Sequence, residues 1–100
     1  MKELIKKFKP EIKQYKNPYF STIEFFNFLI QNKVLNNATK SQKICDIGCG
    51  IGSNIDYFSK KLTNDKFIGI DRDKEKILLA KKINHKHNNK EFFIKDIIND

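Results

Sequence analysis

The sequence predicts an α/β fold in which three parallel strands alternate with helices. From Lys43 onward, short apolar runs alternate with longer segments of helical periodicity. A glycine-rich turn, Gly48-Cys49-Gly50-Ile51-Gly52, joins the first run to the first helix, and each of the three apolar runs closes on an aspartate. Strand, helix, strand, helix, strand at this spacing implies a parallel sheet with right-handed crossovers. Residues 1–42 lack that alternation and form an N-terminal helical segment, while residues 43–100 form the sheet-bearing unit.

The elements follow in order. Leu4, Ile5, Phe8 and Ile12 suit a short amphipathic helix before Pro10, with a less regular stretch after it. Ser21-Thr22-Ile23-Glu24 matches a capping box, in which Ser21 accepts from a free backbone N–H and Glu24 reaches back. Ile23, Phe26, Ile30 and Val34 then recur at helical spacing, with Phe25, Phe28 and Leu29 widening the stripe. Asn36 and Asn37 are expected to end that helix, and Ala38 to Gln42 to form a polar connection. Lys43 to Ile47 reads as a strand. Ser53 to Leu62 reads as a helix with Ile55, Phe58 and Leu62 on one face. Lys66 to Ile70 is a second strand ending at Asp71, after the turn Thr63-Asn64-Asp65. Asp73 opens a helix with acid in its first turn and Lys81 and Lys82 near its end, as the helix dipole favours. Its buried face is Ile77, Leu79 or Ala80, and Ile83. Glu91 to Lys95 is the third strand, ending at Asp96.

Composition bounds the function. With 39% apolar and 32% charged residues, the 100-residue chain has a globular balance, and its length limits it to one domain or part of one. The net charge of +8 invites a nucleic-acid partner, but Arg72 is the only arginine, and Arg supplies the bidentate contacts that such readers use. Solvated lysine faces are the simpler account of the excess, and charge alone does not decide the partner. Cys45 and Cys49 lack the second pair a zinc site needs and make no disulfide framework, so reduced thiols in a cytoplasmic protein are the simplest account. The N-terminus does not read as a signal peptide, and no apolar run approaches the length of a membrane span.

The glycine turn lets a ligand approach bare backbone at the positive end of a helix. Its spacing is close to the dinucleotide pattern G-x-G-x-x-G/A, whose last position falls on Ser53. Asp46 discriminates between ligands. A pyrophosphate beside it would meet a like charge in a poorly screened site, whereas S-adenosylmethionine carries an ammonium and a sulfonium. Asp71, about 20 residues beyond the turn, stands where a carboxylate grips ribose hydroxyls. Asp96 repeats the arrangement at the third strand.

These residues resemble class I S-adenosylmethionine-dependent methyltransferases. Ile44 to Gly52 is similar to that family's first motif, Gly69-Ile70-Asp71 to its second, and Phe93-Ile94-Lys95-Asp96-Ile97 to its third. The resemblance implies the first half of a Rossmann-like methyltransferase fold, with residues 43–100 as a partial S-adenosylmethionine-binding domain. It implies that Asp46, Gly48, Cys49, Gly50 and Gly52 hold the methionine portion and that Asp71 takes the ribose hydroxyls. Asp96 would accept from the adenine amino group, Ile97 would pack on the ring, and Arg72 would stack where the family often has an apolar residue. The activity implied is methyl transfer to a small molecule, a protein or an RNA. The family's acceptor contacts come mostly from the fourth strand onward, so no catalytic residue is named and these 100 residues alone are expected to be inactive.

Asn17-Pro18-Tyr19-Phe20 is similar to the N-P-P-Y/F signature of amino-group methyltransferases, but it lacks the second proline and a preceding apolar strand. Tyr15, Tyr19 and Phe20 are candidates for a lid over the cofactor. His85 and His87 lie in a polar loop with no acidic or cysteine partner nearby in sequence, so no metal is assigned. Two rival functions stand open: an NAD-dependent oxidoreductase, and a non-catalytic cofactor- or nucleic-acid-binding piece. In the resembled fold the first strand lies mid-sheet, so Ile44 to Ile47 is expected on an unpaired edge prone to self-association.

Overall fold

A computed structural model describes residues 1–35 and 41–98. Its elements are α1 (Lys2–Lys7), α2 (Lys9–Lys13), α3 (Phe20–Gln31), β1 (Lys43–Ile47), α4 (Ser53–Lys61), β2 (Lys66–Asp71), α5 (Lys74–Ile83) and β3 (Lys90–Ile94). The three strands form one parallel sheet in the order β1-β2-β3. Register sets Asp46 opposite Gly69 and Asp71 opposite Ile94, so the aspartates gather toward the carboxyl end of the sheet. The Rossmann-like expectation is met in this half-sheet.

One face of the sheet carries the core. Phe67 and Phe92 project onto Ile55 and Phe58 of α4 and Ile77 and Ala80 of α5, with Phe26 of α3 packed beyond. Phe26 meets Phe58 edge-on at 5.1 Å and Tyr57 at 5.5 Å, the tilted geometry that aromatic quadrupoles favour. A second cluster joins Phe8 to Ile51 and Leu79, with Tyr15 packed against it, so the N-terminal helices lean on the glycine turn and on α5. Strand alternation sends Cys45, Ile47 and Phe93 to the other face, where Ile47 is 59% and Phe93 44% exposed.

Four details depart from the sequence reading. Pro10 does not end helical structure: it sits in the first turn of α2, where a missing N–H costs nothing. The Ser21 capping box does not form. After Pro18 the backbone of Tyr19 is extended, and its carbonyl accepts from Thr22 and Ile23, so α3 starts at Phe20 and Ser21 lies inside it.

The same helix stops at Gln31 rather than near Asn36 and Asn37, which lie outside the described residues. Lys33 adopts a left-handed φ of 58°, Val34 N–H bonds Leu29 at 2.9 Å, and Lys33 N–H bonds Ile30 at 3.1 Å. That is a Schellman stop with lysine in the usual glycine place. The reversal turns Val34 outward and buries Leu35 instead, while Phe25 and Phe28 are more than half exposed rather than part of the stripe. Finally, β3 runs from Lys90 to Ile94, one residue earlier than Glu91 to Lys95, because the ladder opens with Lys90 opposite Phe67. The Lys90 side chain is buried on an ion pair with Asp56.

Candidate cofactor site

The site begins where β1 ends. Gly48, Gly50 and Gly52 all take positive φ (77°, 60° and 87°), so the turn coils back in a conformation that side chains resist. Gly48 N–H and Cys49 N–H both bond the Ile70 carbonyl, at 2.7 and 3.0 Å, which ties the turn to β2. At Gly48 and Gly50 a Cβ would meet nothing within 4 Å, so bare backbone faces open space there. Gly52 differs: a Cβ would stand 2.8 Å from Phe92 and 3.2 Å from the Tyr15 hydroxyl. Its glycine serves packing rather than access.

Asp71 holds the turn in place. Its Oδ2 accepts from Gly50 N–H at 2.9 Å and its Oδ1 from Asp73 N–H at 2.8 Å. Asp73 in turn caps α5 by accepting from Glu75 and Lys76. The Asp46 carboxylate has no hydrogen-bond partner among the described residues, and burial together with the Asp71 charge raises its pKa above the ordinary carboxylate range. The Cys49 thiol is pushed up to about 12 by burial and by the Asp46 and Asp71 charges, so it stays protonated and is no nucleophile. Its Sγ lies in the notch left by Gly69, where a Cβ would be 2.8 Å away.

Beyond the strand ends lies an open cleft of about 380 Å³. It brings together Gly48, Asp71, Arg72, Asp96 and Ile97 from the residues predicted to bind cofactor. Asp46, Cys49, Gly50 and Gly52 do not line it: Cys49 and Gly52 are buried beneath the turn. Ile47, Ile70 and Ile98 add apolar lining that sequence reasoning did not single out, although strand alternation and the run Ile97-Ile98 carried the signal. Asp96 accepts from Ile98 N–H at 3.0 Å, which curls the chain after β3 toward the cleft. Two strand-end acids, a glycine turn and exposed isoleucines make a surface suited to a ligand with hydroxyls, an amine and a flat ring.

The profile of the methyltransferase domain matches residues 38–99. The chain belongs to the methyltransferase-domain family. Across 85 residues this methyltransferase domain is 35% identical to protein 235L of Invertebrate iridescent virus 6, which is named as a methyltransferase. The match covers 85% of this chain and 29% of that protein. Among solved structures, the plantazolicin methyltransferase BpumL, in complex with a pentazolic desmethylPZN analogue and SAH, superposes with a TM-score of 0.65 at 27% identity. That overlap covers 91% of this chain and 34% of BpumL. Coclaurine N-methyltransferase, bound to N-methylheliamine and SAH, shares the fold at 17% identity, with a TM-score of 0.63 over 79% of this chain and 23% of its own. This methyltransferase domain thus spans between about a quarter and a third of the length of these relatives. Among its described residues, no helix is long and apolar enough to cross a membrane.

Proposed function

We propose that this chain supplies the cofactor-binding half of an S-adenosylmethionine-dependent methyltransferase. The reaction is methyl transfer from the sulfonium to an acceptor by in-line displacement. The observation that carries the proposal is the pairing of a bare, open glycine turn with strand-end carboxylates. Gly48 and Gly50 leave room where a Cβ would stand, while Asp46 and Asp71 supply negative charge beside them. A pyrophosphate would be repelled there, and an ammonium or sulfonium attracted. BpumL, with SAH in its structure, adds support, because SAH is the product left after S-adenosylmethionine gives up its methyl group.

When bound, S-adenosylmethionine supplies a methyl group on a good leaving group, and this chain's residues mainly hold it in line. Gly48 and Gly50 admit the methionine portion against their backbone. Asp46 answers its ammonium, which offsets the burial and like charge that raise the free carboxyl. Asp71 spends one lone pair of each oxygen on backbone donors, leaving one on each for two ribose hydroxyls. Asp96, Ile97 and Arg72 line the same cleft, where Asp96 would accept from the adenine amino group, Ile97 would pack on the ring and Arg72 would stack on it.

The acceptor is a small molecule, a protein or an RNA. Among the described residues the outer edge of β1 bonds no strand, which makes it a surface for self-association, and the two free thiols go with a reducing, cytoplasmic setting. Calorimetric titration with SAH and with NADH tests the cofactor. SAH should bind and NADH should not; the opposite result would return the site to the dinucleotide class.

A further inference from the structure

Residues 1–17 line no part of the cleft, yet they touch the glycine turn from behind. Tyr15 donates its hydroxyl to the Ile51 carbonyl at 2.6 Å and accepts from Asn84 Nδ2 at 2.9 Å. The adjacent Gln14 accepts from Ser53 Oγ at 3.2 Å. Two consecutive residues of the N-terminal segment thus grip the two residues flanking Gly52. The Tyr15 hydroxyl also stands 3.2 Å from where a Gly52 Cβ would be, with the Phe92 ring at 2.8 Å.

These bonds belong to a closed circuit of buried polar groups. Asn84 Oδ1 accepts from Lys90 Nζ at 3.1 Å, and Lys90 Nζ reaches Asp56 Oδ1 at 3.3 Å. Asp56 N–H returns to the Gly52 carbonyl at 2.9 Å, one residue from the Ile51 carbonyl that Tyr15 holds. Lys90 is 2% and Asp56 7% exposed at the side chain, so each group depends on its neighbours for the partners that water would otherwise supply. The phenol must be donor and acceptor at once, a double role that phenylalanine cannot fill. Burial holds the phenol's pKa above its ordinary value, which keeps the donor proton in place.

The turn is therefore fixed from two sides: Asp71 holds Gly50 from the cleft side, and Tyr15 holds Ile51 from the N-terminal side. We infer that Tyr15 is a positioning residue for the cofactor, acting through the Ile51–Ser53 backbone without touching the ligand. This rests on the assignment of the turn to S-adenosylmethionine proposed above. A preorganised turn spares the ligand the cost of ordering it, so loosening the turn weakens binding.

The test is Tyr15→Phe in the 100-residue chain, under conditions where urea titration finds parent and variant fully folded. SAH affinity should fall by ~3- to 10-fold, the range expected for loss of one hydrogen bond. Without ligand, the ¹H–¹⁵N signals of Gly50, Gly52 and Ser53 should shift and their amide exchange accelerate, while those of mid-α3 stay put. Should Tyr15→Phe fail to fold, Gln14→Ala breaks the neighbouring Ser53 bond and is read out in the same way. Unchanged turn signals would overturn the inference, and so would an unchanged SAH affinity where the parent binds SAH. If the parent itself does not bind SAH, the cofactor assignment fails, and the turn signals alone decide whether Tyr15 positions the turn.

Discussion

The Asp71 carboxylate accepts the Gly50 amide at 2.9 Å across 21 residues of sequence. The residue proposed to take the ribose is thereby also the clasp of the glycine turn, so the proposed ribose and methionine sites form one coupled unit. Asp71→Ala removes two acceptors for ribose and releases the Gly50 amide as well. Each hydrogen bond to a charged group is worth ~1.5–3 kcal/mol, so SAH affinity should fall roughly 100-fold or more. Calorimetry measures the loss, and the Gly50 amide shift reports the released clasp. Binding as tight as the parent's would remove Asp71 from the site.

Asp46 should show opposite effects on stability and binding. Its carboxyl is raised by burial and by Asp71, so the folded chain holds that proton more tightly than the unfolded chain does. The ionised form therefore counts against folding at neutral pH, and the penalty disappears as pH falls through the raised value. Asp46→Asn should raise the urea midpoint at pH 7 while weakening SAH about tenfold, as expected for loss of a partly screened ion pair. In the parent, SAH affinity should drop on acidification in a window starting above the ordinary carboxylate range. A variant that lost stability instead would show that Asp46 serves the fold.

The two ends of the glycine turn should respond differently to a methyl group. Gly48→Ala meets only the strain of a positive φ, ~1–2 kcal/mol. Gly52→Ala adds overpacking against Phe92, a further ~1–3 kcal/mol. Chemical denaturation should rank Gly52→Ala as the more destabilised, and Phe92→Leu should recover part of its loss but none of the loss at Gly48.

Lys33 occupies the left-handed stop of α3 without the freedom of glycine. Lys33→Gly should stabilise the chain by ~0.5–1 kcal/mol, relief of the Cβ strain offset by greater unfolded-state entropy. Loss of stability would mean that the lysine side chain contributes more than the strain it costs.

Strand β1 bonds only β2 among the described residues, and Ile47, its last residue, is exposed. Sedimentation at increasing concentration should reveal association, which Ile47→Lys should suppress by placing a charge on the edge. A parent that stays monomeric at millimolar concentration would rule out β1 as a sticky edge.

The sequence by itself determined the half-sheet and the letters of the candidate site. The alternation from Lys43 onward, the triple glycine and the aspartates at 46, 71 and 96 are local signals. Each depends on neighbours within a few residues, through strand period, positive φ or a strand end. The stop of α3 at Gln31 was not legible, because lysine in a left-handed turn carries no composition signal. Only the tertiary structure decided that Asp71 clasps Gly50, that Gly52 is packed under Phe92, and that Tyr15, no lid, sits behind the turn. It likewise decided that Lys90, a charge expected in water, closes a buried circuit with Asp56 and Asn84. Those contacts join residues up to 69 positions apart. Their energy depends on desolvation and on which partners the fold delivers, and neither is written in any short window of sequence.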